Sequence, residues 1–138
     1  QLNTFVEPVA PGVMRRLVMI SCVFLTLSGG WLPDASEFLK VERSTTVAVL
    51  HIWAGFFFLV IFPMYSLDHI KVHAYRLRSW SWVTVSGIVQ LLAGIGLILS
   101  GVLLWLYGVE TLSLPREVHI ILTVVLVASL LTHFRAPK

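Results

Sequence analysis

Four stretches of the chain carry no charged side chain, from about 17 to 32, 45 to 67, 81 to 107 and 118 to 132. Each is close to or above the length that a tilted helix needs to cross a bilayer, about 20 residues. Between them lie the polar breaks WLPDASEFLKVERS, DHIKVHAYRLRS and YGVETLSLPRE. The pattern predicts an all-α protein, a transmembrane four-helix bundle with spans at 13–32, 45–67, 81–107 and 116–134. Pro33, Pro115 and Pro137 fall near run ends, where a missing backbone N–H costs least. Pro63 lies inside the second run and is expected to bend or unwind its last turn.

Composition agrees with this placement. Apolar residues make up 57% of the 138 and charged ones only 12%, whereas a soluble domain carries about 25% charge. The mean hydropathy is +0.89. Such a chain is expected to be a multi-pass integral membrane protein with the lipid bilayer as its main partner, and its length leaves little room for a soluble domain. Cys22 is the single cysteine. It excludes an intrachain disulfide framework, a cysteine-ligated iron–sulfur cluster and a CxxCH haem attachment, and reads as a small apolar filler. Five histidines remain as metal-capable side chains.

The ten Lys and Arg residues are spread between hydrophobic blocks, so the net charge of +3 reads as topology and not as a nucleic-acid surface. With the N-terminus inside, Arg15, Arg16, Lys71, Arg76, Arg78, Arg135 and Lys138 face inward, while Lys40, Arg43 and Arg116 face outward. That imbalance favours N-in and C-in. Trp31, Trp53, Trp80, Trp82 and Trp105 sit near run ends, as an aromatic belt requires. The first run lacks a small-x-small cleavage pattern and is not expected to be a signal peptide.

A short internal similarity joins LTLSGGWL at 25–32 to LILSGVLL at 97–104. Each is followed by a loop and a helix that opens with histidine, in LHIWAG and VHIILT. The expectation is a tandem repeat of two helix pairs about an axis along the membrane normal, with His51 facing His119 at one depth.

His119 and His133 stand fourteen residues apart in one uncharged run. On a helix that is about 21 Å of rise and about 40° of rotation, so both share a face near opposite membrane surfaces. One helix could then give an axial ligand to each of two stacked haems, each needing a second imidazole at the same depth. His51 is the partner for His119. For His133 the repeat points to Tyr65, His69 lies one turn further on, and Met14 is a non-histidine alternative. His69 and His73 fall in a basic loop beside Asp68, Lys71 and Arg76, where solvated histidines are usual. Arg116 is a candidate partner for a haem propionate. The alternative for each histidine is a packed or interfacial residue with no ligand. Gly29, Gly55, Gly87, Gly94, Gly96 and Gly101 suit close approach to a flat macrocycle and equally the ordinary packing of helices in lipid.

Four helices, SG near the end of the first, His at the head of the second, GIGLILSG in the third and HIILTVVLVASLLTHF in the fourth resemble the integral b-type cytochrome subunits of membrane formate dehydrogenases and nickel–iron hydrogenases. The resemblance covers most of the chain. It implies one or two haem b groups, with ligands at His51, His119 and His133. It also implies a partner redox subunit and the quinone pool, in the cytoplasmic membrane of a prokaryote. The family's remaining ligand comes from a histidine near the start of the first helix, where this chain reads GVMRRLVMI and has none. His69, Met14, or an empty inner site with His133 turned to a quinone are the resulting choices. The expected role is electron transfer within an oxidoreductase complex, with no catalytic site beyond quinone chemistry, for which His133 or the pair Asp68 and His69 would handle protons. The rival classes are a non-haem membrane anchor or accessory subunit and a small His-dependent transporter. The lack of a mid-membrane carboxylate weighs against transport.

Overall fold

The computed structural model describes residues 11–31, 45–108 and 111–135. Among the described residues every regular element is helical. They are α1 (Pro11–Trp31), α2 (Thr45–His73), a short 3-10 helix η1 (Ala74–Arg78), α3 (Trp82–Tyr107) and α4 (Ser113–Arg135). All four α-helices contain a segment long and apolar enough to cross a membrane, so the chain is a multi-pass helical protein. Pro33, Lys40, Arg43, Pro137 and Lys138, which entered the sequence reading, lie outside the described residues.

Burial follows the logic of lipid and not of water. Ser21, Ser28, Thr84, Ser86, Ser100 and Ser129 are buried, while large apolar residues such as Ile20, Leu27, Leu92 and Val124 are exposed. Small hydroxyl residues between helices let backbones approach and hydrogen-bond across the contact, and the apolar exterior meets acyl chains. Cys22 is buried in α1, as a small filler should be. Trp80 and Trp82 are 88% and 80% exposed, suiting indole rings at a membrane interface.

Two compact units divide the chain, one up to Tyr65 and the other from Ser66 onward. In the first, Ser28 of α1 meets His51 of α2. Phe58 stacks on Phe62 with ring centroids 4.9 Å apart. In the second, α3 and α4 form an antiparallel hairpin. Gln90 Nε2 donates to the Ser129 carbonyl at 3.1 Å, and Gly96 faces Leu122 so closely that a Cβ there would lie 2.5 Å from Leu122 Cδ1. Ser81 caps the N-terminus of α3, its hydroxyl accepting from Thr84 N at 3.2 Å. Thr84 Oγ1 in turn donates to the Arg76 carbonyl at 3.1 Å, tying α3 to η1. Gly108 ends α3 with φ of 83°, a left-handed conformation that only glycine adopts without strain.

The second helix departs from the sequence expectation. It runs unbroken as α-helix through Pro63 to His73, six residues past the expected end at Leu67. Proline removes one N–H and crowds the carbonyl of Leu59, yet the turns on both sides are already nucleated and such a defect is tolerated in membrane helices. His69 and His73 therefore lie on the last turns of a helix and not in a loop.

The Gly96 contact yields a test. Gly96→Val should destabilise the α3–α4 hairpin by about 1–3 kcal/mol through overpacking, read as a lower midpoint of thermal or SDS unfolding. Leu122→Ala in that background should recover a substantial part of the loss, since the two sites share one space.

Candidate functional site

Three of the four histidines singled out from the sequence have the same surroundings. Ser28 Oγ lies 2.7 Å from His51 Nδ1, Ser100 Oγ lies 2.8 Å from His119 Nδ1 and Ser86 Oγ lies 2.9 Å from His133 Nδ1. A glycine follows each serine and lies beside the ring. A Cβ on Gly29 would come within 3.1 Å of His51 Cε1, one on Gly101 within 3.4 Å of His119 Cε1, and one on Gly87 within 3.9 Å of His133 Cε1. The Ser-Gly pair thus supplies both a polar partner and the room for the imidazole. The room is tightest at Gly29, where a methyl group would require the His51 ring to shift by a few tenths of an ångström, and at Gly87 a methyl group would make only ordinary contact.

Each serine also reaches a carbonyl about one turn back on its own helix. Ser28 Oγ donates to Leu25 O at 3.3 Å, Ser86 Oγ to Val83 O at 3.1 Å, and Ser100 Oγ to Gly96 O at 2.8 Å and to Leu97 O at 3.2 Å. A hydroxyl has one proton. Given to the carbonyl, it leaves the oxygen to accept from Nδ1–H. The His119 ring also hydrogen-bonds the backbone of Leu97. With the hydroxyl proton on the carbonyl, each serine is matched by the Nδ1-protonated tautomer of its histidine, which leaves Nε2 as the basic nitrogen. That is the form in which imidazole acts as a metal donor, its other nitrogen held by a neighbouring group.

On the hairpin the two contacts form a ladder. Ser86 and Ser100 are fourteen residues apart on α3, and their partners His133 and His119 are fourteen apart on α4. The rings therefore sit near opposite ends of the hairpin, about 21 Å apart along α4. The first unit has one such contact. Counting fourteen residues back from Ser28 on α1 and fourteen on from His51 along α2 reaches Met14, followed by Arg15, and Tyr65. There, Tyr65 is close enough to Arg15 to feel its charge.

His69 is not held in this way. It is exposed, its ring centroid lies 4.6 Å from that of His73, and it is close enough to His73, His133 and Arg76 to feel their charge. Met14 and Arg116 are partly exposed, on α1 and on the first turn of α4. Among the described residues no three His, Cys, Asp or Glu side chains gather as a metal cluster.

Sequence reading located His51, His119 and His133 and noted both Ser28–Gly29 and Ser100–Gly101. It missed Ser86–Gly87 as a unit with His133. The signal was available, since SG recurs fourteen residues before Ser100–Gly101, matching the spacing of His119 and His133. The chain matches no family model, no curated protein and no solved structure.

The tautomer is directly measurable. Nitrogen-15 NMR of histidine-labelled protein without added ligand should find His51, His119 and His133 protonated at Nδ1. Ser100→Ala should perturb His119 alone and cost about 0.6–2 kcal/mol of stability, the range for an interhelical hydrogen bond in lipid.

Proposed function

We propose that the chain is a haem b-carrying membrane subunit that moves electrons between a partner redox subunit and the quinone pool, and that His51 and His119 would supply the imidazoles that hold a haem. The observation that carries this reading is the equivalence of the two histidines. Each has a serine oxygen on Nδ1 and a glycine beside Cε1, though they belong to different helix pairs. Two like imidazoles are the donor set that a b-type iron accepts. The resemblance to the b-type cytochrome subunits of formate dehydrogenases and nickel–iron hydrogenases points the same way.

When bound, haem supplies the one-electron redox chemistry. The residues of the chain hold and tune it. Ser28 and Ser100 fix the ring orientations and, by accepting from Nδ1–H, raise the basicity of Nε2. Gly29 and Gly101 keep space beside each ring, where a larger residue would push the imidazole off its position. The apolar helix surfaces would exclude water from a bound haem, one of the factors that tune its potential.

The number of haems follows from the asymmetry between the helix pairs. In a tandem repeat, Ser28, Gly29 and His51 answer to Ser100, Gly101 and His119. Met14, Arg15 and Tyr65 answer to Ser86, Gly87 and His133. His51 and His119 then have like surroundings and His133 has no counterpart histidine, which favours one haem over two. With N-in and C-in topology, as the basic residues favour, the lone His133 lies toward the inner surface. Held by Ser86, it suits a proton-handling role at a quinone site. His69, exposed and with its ring tilted against that of His73, has no haem-ligand role in this reading. The setting is the cytoplasmic membrane of a prokaryote.

Protein expressed with adequate haem should give reduced-minus-oxidised b-type bands and a haem-to-chain ratio near one. His51→Ala and His119→Ala should each abolish the bands, while His133→Ala should retain them. Ser28→Ala and Ser100→Ala should keep haem but weaken its binding by about 10–100-fold. An absence of bands in haem-replete protein would sink the reading in favour of a non-haem anchor or accessory subunit.

A further inference from the structure

His69 and His73 are four residues apart on α2, the separation that puts two side chains on one helix face, one turn apart. Their ring centroids are 4.6 Å apart with 57° between the planes. Two histidines so spaced are a well-attested helical pair for a zinc-type ion. A second observation concerns His73 itself. Its Nδ1 is shielded from solvent and has no hydrogen-bond partner, and the Tyr75 ring lies 6.3 Å from its own. A polar nitrogen shut off from water without a partner is costly, so its environment is incomplete.

We propose that His69 and His73 form a binding site for a divalent first-row transition ion of the zinc, nickel or copper class, at the end of α2. The two imidazoles are the protein donors, and water completes the coordination. Imidazole is a preferred donor for these ions, whereas magnesium and calcium favour oxygen. The charges around the pair are mixed. Asp68 adjoins His69, and Lys71 lies between the two histidines in sequence. Arg76 is turned onto Tyr75, its Nε donating to the phenol oxygen at 3.1 Å and its guanidinium carbon 5.7 Å from the ring centroid. That contact holds a cationic head against an aromatic ring. The exposure of His69 gives an ion an approach from solvent. This site shares no residue with the haem ligands proposed above and stands or falls separately from them.

The test is zinc titration of the untagged full chain in detergent by calorimetry, with copper EPR as the spectroscopic counterpart. The expected result is one zinc per chain, and a copper signal with coupling to two imidazole nitrogens. His69→Gln and His73→Gln should each weaken binding at least tenfold, with helix content and haem loading unchanged. The double substitution Val72→His/His73→Val keeps the histidine count but breaks the one-turn spacing, and it should lose the site as fully as His73→Gln. Zinc binding unaffected by His73→Gln, or kept by the shifted double variant, would overturn the proposal. So would loss of haem on His69→Gln, which would make His69 an iron ligand.

Discussion

A histidine on a membrane-spanning helix depends on a hydrogen bond that its own backbone cannot give, because the helix spends its carbonyls on its own N–H groups. In lipid no water replaces the missing partner, and an unsatisfied polar group costs several kcal/mol. The serine hydroxyls of α1 and α3 meet this need at His51, His119 and His133. An interhelical hydrogen bond in a membrane contributes only about 0.6–2 kcal/mol. Its larger consequence is that an otherwise prohibitive ring becomes tolerable and takes one orientation. Glycine after the serine keeps the ring uncrowded at His51 and, less tightly, at His119. Packing, polar satisfaction and ring orientation thus rest on the same dipeptide.

Much of this was legible in the sequence, for physical reasons. Uncharged runs near bilayer length can bury their backbone polar groups only as helices, so the four spans and the histidines at their ends follow from the pattern alone. The end of α2 was harder. DHIKVH looks like a loop because it is polar, but a helix leaving the membrane is free to become polar without ending, and it carries His69 and His73. The role of Ser86–Gly87 was hidden for another reason. Small residues are the common material of membrane helix packing, and only the antiparallel register of α3 and α4 distinguishes the pair that meets His133.

The difference between the helix pairs links structure to the proposed function. Ser-Gly-His contacts occur at both ends of the α3–α4 hairpin but at only one end of the α1–α2 pair; at the other end Met14, Arg15 and Tyr65 occupy the corresponding positions. A haem held by two imidazoles needs histidines in pairs, whereas a proton-handling site can use one. On the proposed reading the three held histidines divide into one ligand pair and one single residue. The uncharged runs 45–67, 81–107 and 118–132 hold no carboxylate, with Asp68 and Glu117 only toward helix ends. This fits the proposed electron transfer better than ion transport, which needs charged relay groups in the membrane.

The account turns on whether two histidines, and not one, hold the iron. EPR spectroscopy of the oxidised, haem-loaded protein reads this directly, since iron with two imidazoles is low-spin and iron with one is predominantly high-spin. The prediction is a single low-spin ferric species that becomes high-spin or vanishes when either His51 or His119 is replaced by alanine. A high-spin signal in the unaltered protein, or a low-spin signal that survives either substitution, would contradict it.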